Sequence, residues 1–408
     1  MVHFFDVRLI SYIYFIYIEI QVALQILLIC NYNGILATKE TFQKELLTNM
    51  QTTYLLLAAL LPFAVHDIWY ARIYLFWIMK VSIITYLIIF GLLPIIFHYS
   101  YTIQKKILFL NFVQWPLNVD FSKPELVGMK GTRNFYLQTD QQVKIGLWQI
   151  LPQSLLNDSI ITTDDDYETM LKNAKRPIFL YMHGNSGNRA SNHRLELYKL
   201  FQSLDYHVVS FDYRGYGDSE EAELSEIGVV NDSKYVLEWL LKIVNGTAPV
   251  FVWGHSLGTG VSVHVLALLA TEKVQPAGLF LESPFNNIAD ELSEHPLSQI
   301  FKHLPWFHWV IVEPFYDNYL RFESDKHIEK VQCPIMILHA EDDNIVPFAL
   351  GEKLFKAAIN YHGNDTNRVQ MTRIDATHGF GHKYICRYKN LPNIIKSFVH
   401  ESRKNQTD

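Results

Sequence analysis

Residues Gly254-His255-Ser256-Leu257-Gly258 form the stretch of sequence that decides the fold. They follow an apolar run at residues 250–253 and open a helical pattern over residues 258–271. A serine between two such glycines, at a sharp turn from strand to helix, is typical of a nucleophile elbow. Side chains at positions 254 and 258 would clash with neighbouring backbone there, while the Ser256 hydroxyl is held out at the carboxyl edge of the sheet. The motif alone also fits an ordinary strand–helix turn in which Ser256 is the N-cap.

Short apolar runs alternate with longer helical patterns on both sides of this motif. The runs lack a period of two, which is typical of strands that are buried on both faces of a parallel sheet. An earlier pair of segments, residues 133–139 and 143–151, is separated by a tight polar turn and predicts an antiparallel hairpin at one sheet edge. The alternation therefore predicts a doubly wound α/β fold with a mostly parallel sheet. The predicted parallel strands are residues 178–182, 208–211, 250–253, 278–281 and 335–338.

A serine hydroxyl needs an imidazole base, and the base in turn needs a carboxylate to hold it. Acidic residues follow the strand at 335–338 within His339-Ala340-Glu341-Asp342-Asp343-Asn344-Ile345-Val346-Pro347. We choose Asp343 because Asp-x-x-Val-Pro is the usual form of the acid turn in enzymes with this elbow. Glu341 and Asp342 are expected to cap the turn or to face solvent. Such a cluster alone is more often a helix cap, and only its order behind Ser256 favours catalysis.

Two histidines, His378 and His382, follow the predicted strand at 369–374 and compete for the role of base. Both lie on the same loop, so these residues alone leave the choice open. The order serine, acid, histidine along the chain is that of the α/β-hydrolase fold and differs from the orders in the two well-known serine-protease arrangements.

A tetrahedral intermediate also needs donors for its oxyanion. The backbone N–H of Leu257 is the first candidate, because that residue follows the nucleophile. The second should come from Met182-His183-Gly184-Asn185-Ser186-Gly187, and we expect it to be the N–H of Asn185. His183 is expected to hold that loop in place.

About 45 residues separate Ser283-Pro284 from Lys330, too many for a plain crossover. We therefore expect a cap at about residues 285–330. Its apolar side chains suit an acyl chain or insertion into a bilayer interface, although an aromatic helix packed on the sheet fits the periodicity equally well. These side chains are Phe301, Leu304, Trp306, Phe307, Trp309, Val310, Ile311, Phe315 and Tyr316.

The first hundred residues are the most apolar part of the chain. Residues 81–97 carry no charge, a length at the threshold for crossing a bilayer, and aromatic residues flank them. We expect a transmembrane helix at 73–101, a juxtamembrane linker at 102–132 and a hydrolase domain at 133–402. In the apolar region 1–72, the run 9–30 fits a second span, an interfacial helix or a signal-like segment, since Glu19 interrupts it. The stretch 54–65 is too short to cross unaided.

Composition excludes several classes of protein. Charged residues make up 19% of the chain against about 25% in soluble domains, which favours a membrane protein. The net charge of −6, without a basic run, argues against binding of nucleic acid.

The cysteines and the short motifs give no sign of a disulfide framework, a metal or a cofactor. The three cysteines, Cys30, Cys333 and Cys386, are too few for a disulfide framework or a zinc site. We interpret them as packing thiols, although a disulfide bond between Cys333 and Cys386 is geometrically possible. The glycines of the turn at 212–219 form no dinucleotide fingerprint, and no Walker, zincin or EF-hand motif occurs, so we expect no cofactor and no metal.

Five Asn-x-Ser/Thr acceptors, all beyond the predicted span, mildly favour a lumenal or extracellular hydrolase domain. Random acceptors in a cytosolic domain are the alternative. The acceptors are Asn157, Asn231, Asn245, Asn364 and Asn405.

Several motifs between about residues 80 and 396 resemble the membrane-anchored α/β-hydrolase lipases typified by lysophosphatidylserine lipase, which is also described as a monoacylglycerol lipase. The resemblance implies that Ser256 is the nucleophile, Asp343 the orienting acid and His382 the base. The first 70 residues depart from the family, which usually has a polar cytosolic tail there. The motifs are Asp120-Phe121-Ser122-Lys123-Pro124, His183-Gly184-Asn185, Phe211-Asp212-Tyr213-Arg214-Gly215, Gly254-His255-Ser256-Leu257-Gly258-Thr259-Gly260, Glu282-Ser283-Pro284-Phe285, His339-Ala340-Glu341-Asp342-Asp343 and His382-Lys383-Tyr384-Ile385.

The resemblance implies a serine lipase that acts on lysophospholipids or monoacylglycerols through an acyl-enzyme at the endoplasmic reticulum membrane. A single effective span at 81–97, together with the five acceptors beyond it, predicts that the catalytic domain is lumenal. The partners implied are the lipid substrate and the membrane, and no obligate protein partner is inferred. A protein or acyl-CoA thioesterase with the same triad is one alternative. A non-catalytic hydrolase-like binding protein is another, which the presence of Ser256, Asp343 and His382 disfavours.

Overall fold

A computed structural model of the protein describes residues 39–156, 163–362 and 368–404. Within these residues, eight strands form one sheet in the order β1-β2-β4-β3-β5-β6-β7-β8. The strands are β1 (Thr132–Gln138), β2 (Lys144–Ile150), β3 (Ile178–Met182), β4 (His207–Phe211), β5 (Val250–His255), β6 (Gly278–Glu282), β7 (Ile335–Ala340) and β8 (Val369–Ile374).

Helices connect the strands and precede them. The α-helices are α1 (Lys39–Leu87), α2 (Leu93–Tyr99), α3 (Tyr101–Phe109), α4 (Asp164–Lys172), α5 (Asn192–Ser203), α6 (Glu226–Val244), α7 (Leu257–Leu269), α8 (Ile288–Glu294), α9 (Glu313–Asp317), α10 (Ser324–His327), α11 (Phe348–His362) and α12 (Leu391–Lys404). Two π-helical turns lie at Ile88–Leu92 and His308–Val312, and short 3₁₀ turns lie at Pro124–Val127, Gln153–Leu155, Ala270–Glu272, Pro296–Ile300, Ile328–Lys330, Ala376–His378 and Ile385–Arg387.

The sheet is parallel from β4 to β8 and antiparallel where β1 and β2 join its edge. The inner strands are buried along their whole length, because helices cover both faces. This arrangement confirms the doubly wound, mostly parallel fold and the edge hairpin predicted from the sequence. Parallel strands end at one edge of the sheet, so the loops that follow β3, β5, β6, β7 and β8 lie at that edge.

Aromatic rings form the core on one face of the sheet. Phe179 of β3 stacks on Phe201 of α5 at a centroid distance of 4.3 Å, and Trp253 of β5 stacks on Phe280 of β6 at 4.9 Å. All four side chains are fully buried. Burial of each such ring contributes about 1.5–3 kcal/mol to folding, so this layer fixes the positions of β3, β5 and β6, the strands that lead into the site.

A buried arginine joins the loop after β3 to the turn after β4. The guanidinium of Arg189 lies 2.5 Å from the Asp212 carboxylate and 2.6 Å from that of Asp218, and it also contacts Asn134 of β1 at 2.7 Å. Phe121 lies against its face, 4.1 Å from the ring centroid. A charge removed from water in this way needs such partners, so the turn at 212–219 acts as scaffold.

The chain divides into two units, at Leu87 and Ile88. In the first unit, the structure describes helix α1 alone, whose side chains are exposed and mostly apolar. The segment Leu47–Tyr99 is long and apolar enough to cross a membrane, judged by length and composition. The stretch at 54–65 is therefore part of a longer helix that runs on into the expected span at 73–101. The apolar run at 9–30 lies outside the described residues.

The second unit begins at Ile88 and therefore includes segments upstream of the domain boundary expected at residue 133. The reason is packing between α2 and the segment between β6 and β7. Phe97 of α2 contacts Phe315 of α9 at a centroid distance of 5.9 Å, and His98 stacks against Trp309 at 4.4 Å. Cys333 and Cys386, in the same unit, are free thiols and form no disulfide bond with each other.

Candidate active site

Ser256 lies at the turn between β5 and α7 with a backbone φ of 53°. A positive φ is costly for a residue with a side chain, and such strain at a strand–helix turn is a feature of nucleophile elbows. A side chain at Gly258 would clash with the Met182 carbonyl at the end of β3, and a Cβ at Gly254 would lie 2.5 Å from the Gly258 carbonyl oxygen. The steric reason predicted for the two glycines is therefore confirmed.

Asp343 and His382 form a close pair although 39 residues separate them in sequence. The Asp343 Oδ2 atom accepts a hydrogen bond from His382 Nδ1 at 2.8 Å, and both side chains are buried. The other carboxylate oxygen, Oδ1, accepts the backbone N–H groups of Ile345 and Val346 at 3.0 and 2.9 Å. With Nδ1 protonated, His382 has a free lone pair on Nε2, as a general base requires.

A second imidazole also faces the Asp343 carboxylate. His339 of β7 is fully buried, and its Nε2 atom lies 3.4 Å from Asp343 Oδ2 and 2.9 Å from the Val346 carbonyl oxygen. Burial raises the pKa of the Asp343 carboxyl, but the hydrogen bonds from His339 and His382 outweigh burial and hold its pKa well below the ordinary value. Asp343 is therefore ionised throughout the physiological pH range.

The two histidines of the last loop have different surroundings. His382 is buried against Asp343, whereas His378 is exposed and stacks on Phe380 at a centroid distance of 5.3 Å. The neighbouring acids are also engaged elsewhere. Asp342 accepts the backbone N–H of Gly381 at 2.8 Å, and Glu341 pairs with Arg373. The geometry therefore favours Asp343 and His382 as the partners of Ser256.

The His382 loop is tied to the elbow through the residue that precedes the serine. His255 Nε2 lies 2.9 Å from the backbone carbonyl oxygen of His382, and the two rings are 5.0 Å apart. Burial lowers the pKa of His255 to about 3, so its ring is neutral at physiological pH. Among the described residues, no hydrogen bond joins the Ser256 hydroxyl to the His382 ring. Catalytic hydrogen bonds are often long in the free enzyme and tighten when substrate binds.

The backbone N–H groups of Ser256 and Leu257, at the elbow itself, differ in their hydrogen bonding. Leu257 is the first residue of α7, so its N–H has no partner inside the helix. The N–H of Ser256 is occupied, because it donates to the Glu282 carbonyl at 3.0 Å. The loop after β3 passes close beside the serine, since a Cβ at Gly184 would lie 3.2 Å from Ser256 Cβ. Asn185 follows that glycine, and its backbone N–H remains the expected second oxyanion donor.

We call residues 183–191, which join β3 to α5, the oxyanion loop. His183 is fully buried and accepts the backbone N–H of Tyr213 at 3.3 Å on Nε2, as expected for a residue that holds the loop. Arg194 of α5 is also buried, and its guanidinium donates to the carbonyl oxygens of Ser186 and Asn188 at 2.5 and 2.7 Å. The loop is therefore braced from both sides.

The segment between β6 and β7 brings a further acid near Asp343. Burial and the negative charge of Asp343 raise the pKa of Glu291 in α8 to about 8. Its Oε2 atom has no hydrogen-bond partner among the described residues. Both surroundings favour the protonated form of this carboxyl. Among the residues that the structure describes, no group of three or more His, Cys, Asp or Glu side chains has the arrangement of a metal site.

Sequence reasoning missed two contributors to this geometry. His339 lies in the acid motif, four residues before Asp343, and the sequence pattern assigns it no role. Arg194 gave no signal, because an arginine in an amphipathic helix is usually at the surface. The buried polar network of the oxyanion loop was therefore visible only in three dimensions.

Comparisons with known proteins agree with this architecture. A family model described as alpha/beta hydrolase fold matches residues 177–307. Lysophosphatidylserine lipase ABHD12 of Danio rerio is 39% identical over 325 residues, which cover 80% of this chain and 84% of the relative. The protein of the same name from Rattus norvegicus is 41% identical over 300 residues, covering 74% and 75%. A solved alpha-beta hydrolase from Vibrio vulnificus is similar in fold, with a TM-score of 0.53 at 15% identity over 73% of this chain and 94% of that chain.

His382→Ala should lower kcat for ester hydrolysis by about 10³-fold or more, as loss of a triad member does. His378→Ala should cost much less, because its ring is exposed and lies against Phe380. Steady-state kinetics on a soluble ester would measure both. A larger loss from His378→Ala would move the base to that residue.

Asp343→Asn should lower kcat by about 10³–10⁴-fold, because an amide can stabilise the wrong tautomer of His382. Asp342→Asn is the matched control and should cost much less, since that side chain accepts the backbone N–H of Gly381 and does not contact the His382 ring. Each variant replaces one carboxylate oxygen by an amide NH₂ group, at adjacent positions of the same turn. Equal losses in kcat would contradict the choice of Asp343.

Proposed function

The chain belongs to the family of the lysophosphatidylserine lipases ABHD12, and from that membership we propose that it is a membrane-bound serine hydrolase. It cleaves the acyl ester of lysophospholipids such as lysophosphatidylserine, or of monoacylglycerols. The observation that carries the proposal is the buried Asp343–His382 pair at 2.8 Å, which lies beside the elbow that presents Ser256. A binding protein without catalysis has no need of an ionised buried carboxylate that holds an imidazole.

In the acylation step, Ser256 Oγ attacks the carbonyl carbon of the ester, and its proton passes to His382 Nε2. The carbonyl oxygen becomes an oxyanion that accepts the N–H groups of Leu257 and Asn185. The intermediate collapses, the bond to the glycerol oxygen breaks, and His382 returns the proton to that oxygen. The alcohol leaves, and the fatty acyl group remains as an ester of Ser256.

In the deacylation step, water replaces the alcohol. His382 takes a proton from the water as it attacks the acyl carbon, and the bond to Ser256 Oγ then breaks. The proton returns to Ser256 Oγ, and the fatty acid leaves. In both steps the negative charge of Asp343 stabilises the imidazolium, which explains why an ionised carboxylate is needed at this position.

A lipid substrate also fits the surroundings of the site. The segment between β6 and β7 supplies aromatic side chains that contact Phe90 of the π-helical turn and Phe97 of α2. Both contacted residues lie in the last part of the apolar segment Leu47–Tyr99. An enzyme attached to a bilayer in this way meets lipid esters where they are concentrated. We propose that the segment at 285–330 is a cap over the acyl chain and that Leu47–Tyr99 contains the membrane span.

Ser256→Ala should abolish hydrolysis of lysophosphatidylserine and of monoacylglycerol alike, because the acyl-enzyme cannot form without the hydroxyl. Purified protein in detergent micelles, assayed for released fatty acid, would measure this loss. The control variant is Ser262→Ala, in the same helix, whose hydroxyl donates to the Thr259 carbonyl inside the helix. A folded Ser256→Ala protein with normal turnover would overturn the proposal.

We further propose that the catalytic domain lies in the lumen of the endoplasmic reticulum. Two of the acceptor asparagines are described by the structure, and their surroundings differ. Asn245 is exposed at the end of α6, whereas Asn231 lies inside α6 and Ser233 of its acceptor motif is fully buried. Asn157, Asn364 and Asn405 lie outside the described residues.

Asn245→Gln should therefore remove one glycan, and Asn231→Gln should remove none. Gel mobility of the protein made in cells, before and after endoglycosidase treatment, would show both results. If the wild-type protein does not shift on treatment and its catalytic domain is cleaved by protease added to intact microsomes, that domain is cytosolic.

A further inference from the structure

Residues 108–117, which begin at the last two residues of α3 and which we call the connector, expose four apolar side chains among positions 112–117. The exposed fractions are 63% for Phe112, 43% for Val113, 64% for Trp115 and 63% for Leu117. Exposed apolar residues are normal when scattered, but a contiguous patch marks a surface that meets another apolar phase. The preceding Leu108 and Phe109 are buried in the core, so the connector has an inner anchor and an outer apolar face.

The backbone of the connector is fixed to the oxyanion loop by hydrogen bonds. These contacts leave the four side chains free while the main chain beneath them is held. The donors and acceptors are Asn185 Nδ2 to Leu108 O at 3.2 Å, Gly187 N to Val113 O at 2.8 Å, Ser191 Oγ to Trp115 O at 2.8 Å and Asn188 Nδ2 to Pro116 O at 3.3 Å. The main chain of the connector is therefore hydrogen-bonded to the loop that carries Asn185.

The position of the connector in the chain identifies what covers its apolar face. The apolar segment Leu47–Tyr99 ends one residue before α3, and α3 adds nine residues, or about 13 Å at the helical rise. The connector therefore begins within about half a bilayer thickness of the end of the span. Tryptophan with an apolar neighbour is also the composition favoured at the lipid–water interface.

A second contact places the cap at the same end of the apolar segment. His98, in the last turn of α2, stacks on Trp309, and its Nδ1 atom lies 2.9 Å from the Trp309 carbonyl oxygen. Trp309 is itself 48% exposed. The cap and the connector thus both lie near the residues at which the chain would leave the membrane.

We propose that the connector is a second membrane contact of the hydrolase unit, with Phe112, Val113, Trp115 and Leu117 inserted into the interfacial layer of the bilayer. The inference rests on the membrane attachment proposed above, but it is independent of which residues perform catalysis. It makes the bilayer a docking surface for the hydrolase unit in addition to the source of its substrate.

A fluorescent reporter tests insertion without any catalytic readout. In the full chain with Cys30, Cys333 and Cys386 replaced by alanine, Phe112→Cys would carry an environment-sensitive NBD label, and Tyr361→Cys, exposed on α11, is the control. The protein would be reconstituted into phosphatidylcholine–phosphatidylserine vesicles. We expect blue-shifted emission at position 112 that brominated lipids quench, and solvent-like emission at position 361. Solvent-like emission without quenching at both positions would overturn the proposal.

A second measurement keeps the native cysteines. Phe112→Ala combined with Trp115→Ala should raise KM for lysophosphatidylserine in vesicles by at least about fivefold, since the variant no longer buries two aromatic rings in the bilayer. Its kcat/KM for a water-soluble short-chain ester should stay unchanged, because the backbone bonds to the oxyanion loop remain. Equal losses on both substrates, or no loss on either, would contradict insertion. An enzyme inactive on both substrates before any substitution would instead refute the proposed function and leave the fluorescence result to decide this one.

Discussion

The Asp343 carboxylate is the group on which the rest of the site depends. It is buried at the end of β7, where an unpaired charge would cost several kcal/mol. Two backbone N–H groups of its own turn and two imidazoles, His339 and His382, compensate for that burial. The same contacts lower the pKa of Asp343, so the charge persists, and they fix the ring of His382. Because the His382 carbonyl in turn binds His255, the position of the last loop relative to the elbow follows from this one buried charge.

The sheet supplies the other half of the constraint. A Cβ at Gly258 would lie 2.0 Å from the Met182 carbonyl oxygen at the end of β3, which is a clash, and a Cβ at Gly184 of the neighbouring loop would lie 3.2 Å from Ser256 Cβ. The nucleophile and the oxyanion loop are thus held together by backbone contact, which does not depend on long side chains. Arg194 and the buried Arg189–Asp212 pair then brace the loop from behind. A site assembled in this way is largely preorganised, as stabilisation of an oxyanion requires.

Much of this arrangement could be predicted from the sequence. The strands β3 and β8 begin and end at the predicted residues, and the elbow glycines have the predicted steric role. The choice of His382 over His378 could not be made from the residues, because both lie on one loop, and it needed the family resemblance. His339 was missed because β7 is buried on both faces, so periodicity does not indicate where a side chain points. Buried arginines were missed for a similar reason, since their partners are distant in sequence. Pro62 lies inside α1, so the helix continues through the stretch at 54–65, which length alone could not indicate.

Mass spectrometry of the trapped intermediate would show whether Ser256 carries the acyl group during turnover. The purified protein would be mixed with lysophosphatidylserine, stopped in acid within one turnover and digested. We expect the peptide containing Ser256 to gain the mass of the fatty acyl group less that of the hydrogen it replaces, and fragmentation to locate the group on Ser256. An acyl group on another residue, in an enzyme that turns over normally, would contradict the role of Ser256 as nucleophile.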